Sequence, residues 1–131
     1  MMHQDIFYRW ATIVIAIYLK EPITKEVIHF EEKHYLTGGT YEMGGSREAW
    51  LNITYNYGEH YYQLLDKEKG IRFIYGMTGA ESIPVLKETI SKLKDDVDND
   101  YWKPTEGNAK LALLKLLALA QMRPDGIWDG D

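Results

Sequence analysis

Apolar positions along this chain change period several times, and each change marks an element. Residues 6–19, IFYRWATIVIAIYL, are dense in β-branched and aromatic side chains, which predicts a long strand. The run 11–17 is apolar at nearly every position, so both faces are expected to be covered and the strand to lie centrally in its sheet. Pro22 ends or bends it. Residues 26–31, EVIHFE, alternate and predict a second strand. Four glycines in residues 37–46, TGGTYEMGGS, suit a hairpin loop with positive φ angles. A strand over 48–56 follows. It places Leu51, Ile53, Tyr55 and Tyr57 on one face and Asn52, Thr54 and Asn56 on the other.

At Gly58 the period lengthens. Tyr57, Tyr61, Leu64, Leu65 and Glu68 fall near one helical stripe, predicting a helix over 58–68 that Gly70 terminates. Residues 71–75, IRFIY, suit a short strand or an extended connection. Thr78 and Glu81 have the spacing of a capping box for a helix reaching about Lys94, with Ile83, Leu86, Ile90 and Leu93 on one stripe. Ser82 is the alternative cap, which would leave Pro84 in a tolerated early position. An acidic loop over 95–104 leads to a helix over 106–122 capped by Thr105. Its core, LALLKLLALAQM, is apolar nearly all round, with Lys110 and Lys115 as the interruptions. Such a helix is either central to the core or shared with another subunit. Pro124, Asp125 and Gly126 then turn the chain into an acidic tail carrying Trp128. The pattern describes one α+β domain, an antiparallel sheet from the N-terminal half packed against two or three C-terminal helices.

Composition narrows the function classes. At 131 residues the chain is long enough for one real core, and 45% hydrophobic with 27% charged residues is ordinary for a globular protein. The net charge of −5, with Lys and Arg spread along the chain, argues against a nucleic-acid partner. The absence of cysteine removes disulfides, thiolate catalysis and thiolate zinc sites, and fits a reducing cytoplasm. The apolar run 11–19 is too short to span a membrane and lacks the flanks of a signal peptide, so no membrane association is expected.

Most motif-like spacings fail on chemistry. The glycine loop ends Gly44-Gly45-Ser46, and a P-loop needs lysine where Gly45 stands. Asp96, Asp98 and Asp100 begin like a calcium loop, but Tyr101 and Gly107 occupy the positions that need glycine and a bidentate glutamate. Among His3, His29, His34 and His60, only His29 and His34 lie near each other, and their spacing does not share a helical face. No metal or other cofactor is implied, and no Ser-nucleophile elbow is present.

Two clusters remain as candidate binding groups. Asn52, Thr54 and Asn56 are expected to line a concave site with His60 or Tyr61, His60 meeting an anion as imidazolium. Tyr101 and Trp102 stand just before the helix start at Thr105, Gly107 and Asn108, where free amides favour an anion. Gly107 costs helix stability there and so suggests close approach of a ligand or another backbone.

Three pieces occur together: residues 52–57 (NITYNY); Gly70-Ile-Arg with Gly79, Ile83, Pro84 and Leu86; and Tyr101-Trp102 with Gly107-Asn108-Ala109. In combination, over roughly residues 48–123, they resemble a broad group of small bacteriophage and prophage proteins. The resemblance implies phage-type origin and carries over no site residue. It implies action in the host cytoplasm by stoichiometric, non-catalytic binding, with a small nucleotide-like signalling molecule or a host defence protein as target. The alternatives are a metal-independent enzyme acting on a nucleotide and a structural or assembly protein. The surplus apolar circumference of the last helix predicts a homo-oligomer.

Overall fold

The computed structural model describes residues 14–36 and 45–131; the predicted strand start at 6–13, His3 and most of the glycine loop lie outside the described residues. The described strands are β1 (Val14–Lys20), β2 (His29–His34), β3 (Ser46–Glu48), β4 (Trp50–Thr54) and β5 (Ile127–Gly130). The described α-helices are α1 (Gly58–Leu64), α2 (Gly79–Ser91) and α3 (Glu106–Met122). The class is α+β, as the pattern predicts.

β1 is the central strand, antiparallel to β4 on one side and β5 on the other, with Ile17 opposite Leu51 and Leu19 opposite Trp128. Ile15, Ile17 and Leu19 are buried against the helices, whereas Val14, Ala16 and Tyr18 are half-buried. Coverage on both faces is therefore realised on one, and on the other Tyr18 stacks on Trp50 at 5.0 Å. β2 and β3 form a separate antiparallel pair. β2 starts later than the alternation suggests, because Val27 bridges to Lys20 and the Ile28 amide donates to Leu19 O, holding this stretch against the end of β1.

The predicted strand over 48–56 stops at Thr54. The Thr54 hydroxyl accepts from the Asn56 amide and bends the chain into a 3₁₀ turn over Tyr55–Tyr57. Period two fails at that turn, leaving Thr54 and Tyr57 buried and Tyr55 exposed. α1 ends at Leu64 rather than 68, because the amides of Leu65 and Asp66 both donate to Tyr61 O and close it. Gly70 then adopts φ +57°, and a 3₁₀ turn over Gly70–Ile74 replaces the predicted extended stretch, burying Ile71 and Ile74 three residues apart.

Thr78, not Ser82, caps α2. The Glu81 amide donates to Thr78 Oγ1 at 3.1 Å, and the Thr78 amide donates to Glu81 Oε1 at 2.9 Å. Ser82 instead accepts from the buried Trp128 indole at 2.7 Å and donates to Gly79 O. The predicted acidic tail is β5, whose second edge is covered as the Trp128 amide donates to Met77 O and the Gly76 amide to Trp128 O. α3 keeps its predicted limits. Leu113, Leu116 and Leu119 are fully buried by the chain itself, while Leu111 and Leu114 are each 39% exposed.

Candidate functional site

The loop between α2 and α3 is short of regular structure, so its shape has to come from side chains. Asp96 Oδ1 accepts from the Gly107 amide at 2.9 Å, placing the chain's own carboxylate on the α3 N-terminus. The amides of Asn108 and Ala109 are taken by Thr105, through its hydroxyl and its carbonyl. Gly107 is needed for another backbone rather than for a ligand, because a Cβ there would lie 2.5 Å from Asp96 C and Val97 N.

Asn108 is buried and spends its whole amide on the same loop. Its Oδ1 accepts from the Asp98 amide at 2.9 Å, and its Nδ2 donates to Asp100 O and Lys103 O, both at 3.0 Å. From the sheet side, the Thr54 amide donates to the Tyr101 hydroxyl at 2.9 Å, and that hydroxyl donates to Asn52 O. Asn56 Nδ2 donates to Trp102 O at 2.7 Å, the Tyr57 hydroxyl to Tyr101 O, and His60 Nε2 to Pro104 O at 2.8 Å. The Tyr61 hydroxyl donates to Ala109 O at 2.9 Å.

The sequence-predicted residues Asn52, Thr54, Asn56, His60, Tyr61, Tyr101, Trp102, Thr105 and Asn108 thus meet along one seam. Most of their polar atoms are turned on backbone groups of the opposite side. The seam works first as a clasp that holds the 95–105 loop to β4, α1 and α3.

Beside the clasp lies a cleft of about 120 Å³. Its polar wall is formed by Tyr57, Asp98, Asn99, Tyr101, Asn108 and Lys115, over an apolar floor of Leu51, Leu111 and Ala112. Tyr101 and Asn108 are the predicted residues that reach it. Asp98, Asn99 and Lys115 were not foreseen as site residues. The available signal was Lys115 itself, a charge interrupting an otherwise apolar helix.

Burial pushes the Lys115 ammonium below its ordinary pKa. The Asp98 carboxyl is held below the usual carboxylate range, first by the Asp100 amide that donates to it at 2.8 Å and then by Lys103. Burial, reinforced by Tyr101 and Asp100, pushes the Tyr57 phenol up. At neutral pH the cleft therefore presents an ionised Asp98 and a protonated Tyr57.

Among the described residues no group of three or more His, Asp or Glu side chains is placed to hold a metal ion, and no helix is long and apolar enough to cross a membrane. No protein-family model, no curated protein and no solved structure matches this chain.

Proposed function

We propose that this chain is a non-catalytic binding protein of bacteriophage type that sequesters a host target, with the Lys115 cleft as the seat of a small-molecule ligand. The observation that carries this reading is a lysine kept half-buried beside a concave, partly polar space, where its charge is disfavoured by burial. A lysine in the wall of a concave, partly apolar space suits a ligand that carries an anionic group. The neighbouring groups support binding over proton transfer. Asp98 stays ionised and Tyr57 stays protonated through the neutral range, so neither is matched to acid–base work there. The volume limits the ligand: pockets that enclose drug-sized molecules run to roughly 300–1,000 Å³. A nucleotide-like signal would lodge one group in this cleft and leave the rest outside.

The enzyme alternative rests on Lys115 alone, since its shift toward neutrality is the one that suits a base. A homo-oligomer covering Leu114, which lies outside the cleft, accompanies the proposal, a leucine being worth roughly 1.5–3 kcal/mol when fully buried. Native mass spectrometry of the protein isolated from cells tests all of this together. A retained small molecule that Lys115→Met no longer carries supports the proposal. Stoichiometric co-purification of a host protein, with no small molecule bound, replaces the small ligand by a protein target. A 15.3 kDa species in dilute solution removes the oligomer.

A further inference from the structure

The chain contains two Asp-Gly steps, Asp125-Gly126 and Asp129-Gly130. At such a step the aspartate carboxyl is open to attack by the next residue's nitrogen, because glycine brings no Cβ to shield it. The fold treats the two steps differently. At the first, Arg123 grips both carboxylate oxygens, Nε on Oδ1 and Nη2 on Oδ2, each at 2.9 Å. The Gly126 amide donates to Arg123 O at 3.1 Å, so the nitrogen is turned onto another carbonyl. Gly126 is buried and packed so closely that a Cβ would lie 2.7 Å from Ile28 Cδ1.

At the second step the nitrogen is turned onto the carboxyl itself. Trp128 points its amide away from β1, to Met77 O, and Gly130, two residues on, points the same way. There the Gly130 amide donates to Oδ1 of Asp129 at 2.8 Å. Cγ is one C–O bond beyond, so nitrogen and Cγ are no more than about 4 Å apart. That is close to the roughly 3–3.5 Å of a near-attack contact. Gly130 is also held in place, since a Cβ there would lie 2.3 Å from Ala16 O and 2.4 Å from the Tyr75 hydroxyl. We propose that Asp129-Gly130 is a site of spontaneous isoaspartate formation, selected by the fold over Asp125-Gly126.

The reaction needs only water as a co-reactant. The Gly130 nitrogen bonds to Cγ of the protonated carboxyl, its hydrogen and the carboxyl hydroxyl leave as water, and a five-membered succinimide closes. Water then adds to the former main-chain carbonyl carbon of Asp129 and breaks its bond to nitrogen. That carbon becomes a free carboxylate, and the chain runs on through Cβ and Cγ, one atom longer. The extra atom lies just ahead of the Asp131 amide that donates to Ala16 O, so the pairing of β5 beyond Asp129 loses its register. Two groups face the site. The Lys20 ammonium from β1 meets Asp129 Oδ2 at 3.0 Å and holds the carboxyl in its unreactive, ionised form. The Tyr75 phenol beside Gly130 is pushed up by burial and stays neutral.

Peptide mapping by mass spectrometry, with fragmentation that separates isoaspartate from aspartate, tests this on the full chain stored at 37 °C and pH 6. Isoaspartate at Asp129 is expected to accumulate at least threefold faster than at Asp125. In guanidinium chloride, with both steps unfolded, the two rates should agree within about twofold. Lys20→Met should speed the reaction at Asp129 at least threefold and leave Asp125 unchanged. Equal rates in the folded chain, or a faster rate at Asp125, overturn the proposal. So does the absence of product at Asp129 over the time in which the unfolded chain forms it. Selectivity that persists in guanidinium chloride overturns the role of the fold, and an unchanged rate in Lys20→Met overturns the part given to Lys20.

Discussion

Replacing Asn108 by alanine removes three hydrogen bonds at once from the clasp that shapes the candidate site. Each is worth about 0.5–1.5 kcal/mol net, or roughly 3 kcal/mol for the set. The carbonyls released belong to Asp100 and Lys103, which are exposed, so water takes them over and the full penalty for stranded buried groups does not apply. Alanine also regains about 0.6 kcal/mol of helix propensity in the first turn of α3. The expected loss is then about 2.4 kcal/mol. With an unfolding entropy near 2.1 cal/mol/K per residue, 131 residues give about 275 cal/mol/K, and the thermal midpoint should fall by about 9 °C. Urea unfolding followed by circular dichroism, alongside a thermal scan, measures both. Asn108→Asp keeps the acceptor for the Asp98 amide but sets a carboxylate against two carbonyls, so it should be less stable than the alanine variant at neutral pH. A loss below about 1 kcal/mol for alanine, or an aspartate variant more stable than it, would refute the role given to this side chain.

Gly107→Ala should lower stability by about 1–3 kcal/mol in the same urea assay despite its better helix propensity, because its Cβ meets backbone at 2.5 Å. Lys115→Met should raise stability at neutral pH. Its folded pKa lies below the unfolded value, so the cost of burying the ammonium is full at low pH and fades as pH rises toward the unfolded value of about 10.4. The gap between variant and parent should therefore shrink in alkaline urea titrations. The Asp129 carboxyl is held low, first by the Lys20 ammonium at 3.0 Å, so it favours the fold above the unfolded pKa of about 3.9 and loses that effect as pH falls through its lower folded value. Asp129→Asn should flatten the acid limb of the stability profile below about pH 4, as urea midpoints at pH 7, 4 and 2.5 would report.

What could be read along the chain was local. The capping threonines Thr78 and Thr105 and the limits of α3 follow from contacts within one turn, and the apolar density of β1 is enough to make it central. Where the alternation was continued past Thr54, a single side chain–backbone bond decided otherwise and moved Tyr55 and Tyr57 to other surroundings. In residues 71–75 the β-rich composition lost to the turn set by Gly70, which lets Ile71 and Ile74 reach the core together. The tail looked acidic rather than strand-forming, because its pairing partner lies in β1, beyond any local window.

The same limit shaped the site. Asn52, Asn56, Tyr101 and Asn108 were singled out for their polar groups, and they do converge, but sequence gives no sign that most of those groups would be satisfied by opposing backbone. Asp98 and Lys115 belong to separate elements, and only the folded loop sets them around one space.

The place of β5 has a consequence for synthesis. Lys20 and Asp129, paired across the sheet, stand 109 residues apart. At a translation rate of about 5–20 residues per second, β1 spends roughly 5–20 s on the ribosome without its second neighbour. During that interval the strand's apolar row of Ile15, Ile17 and Leu19 and one open edge are left uncovered. Slower translation lengthens the time for which that edge and apolar row stay open, and with it the exposure to aggregation.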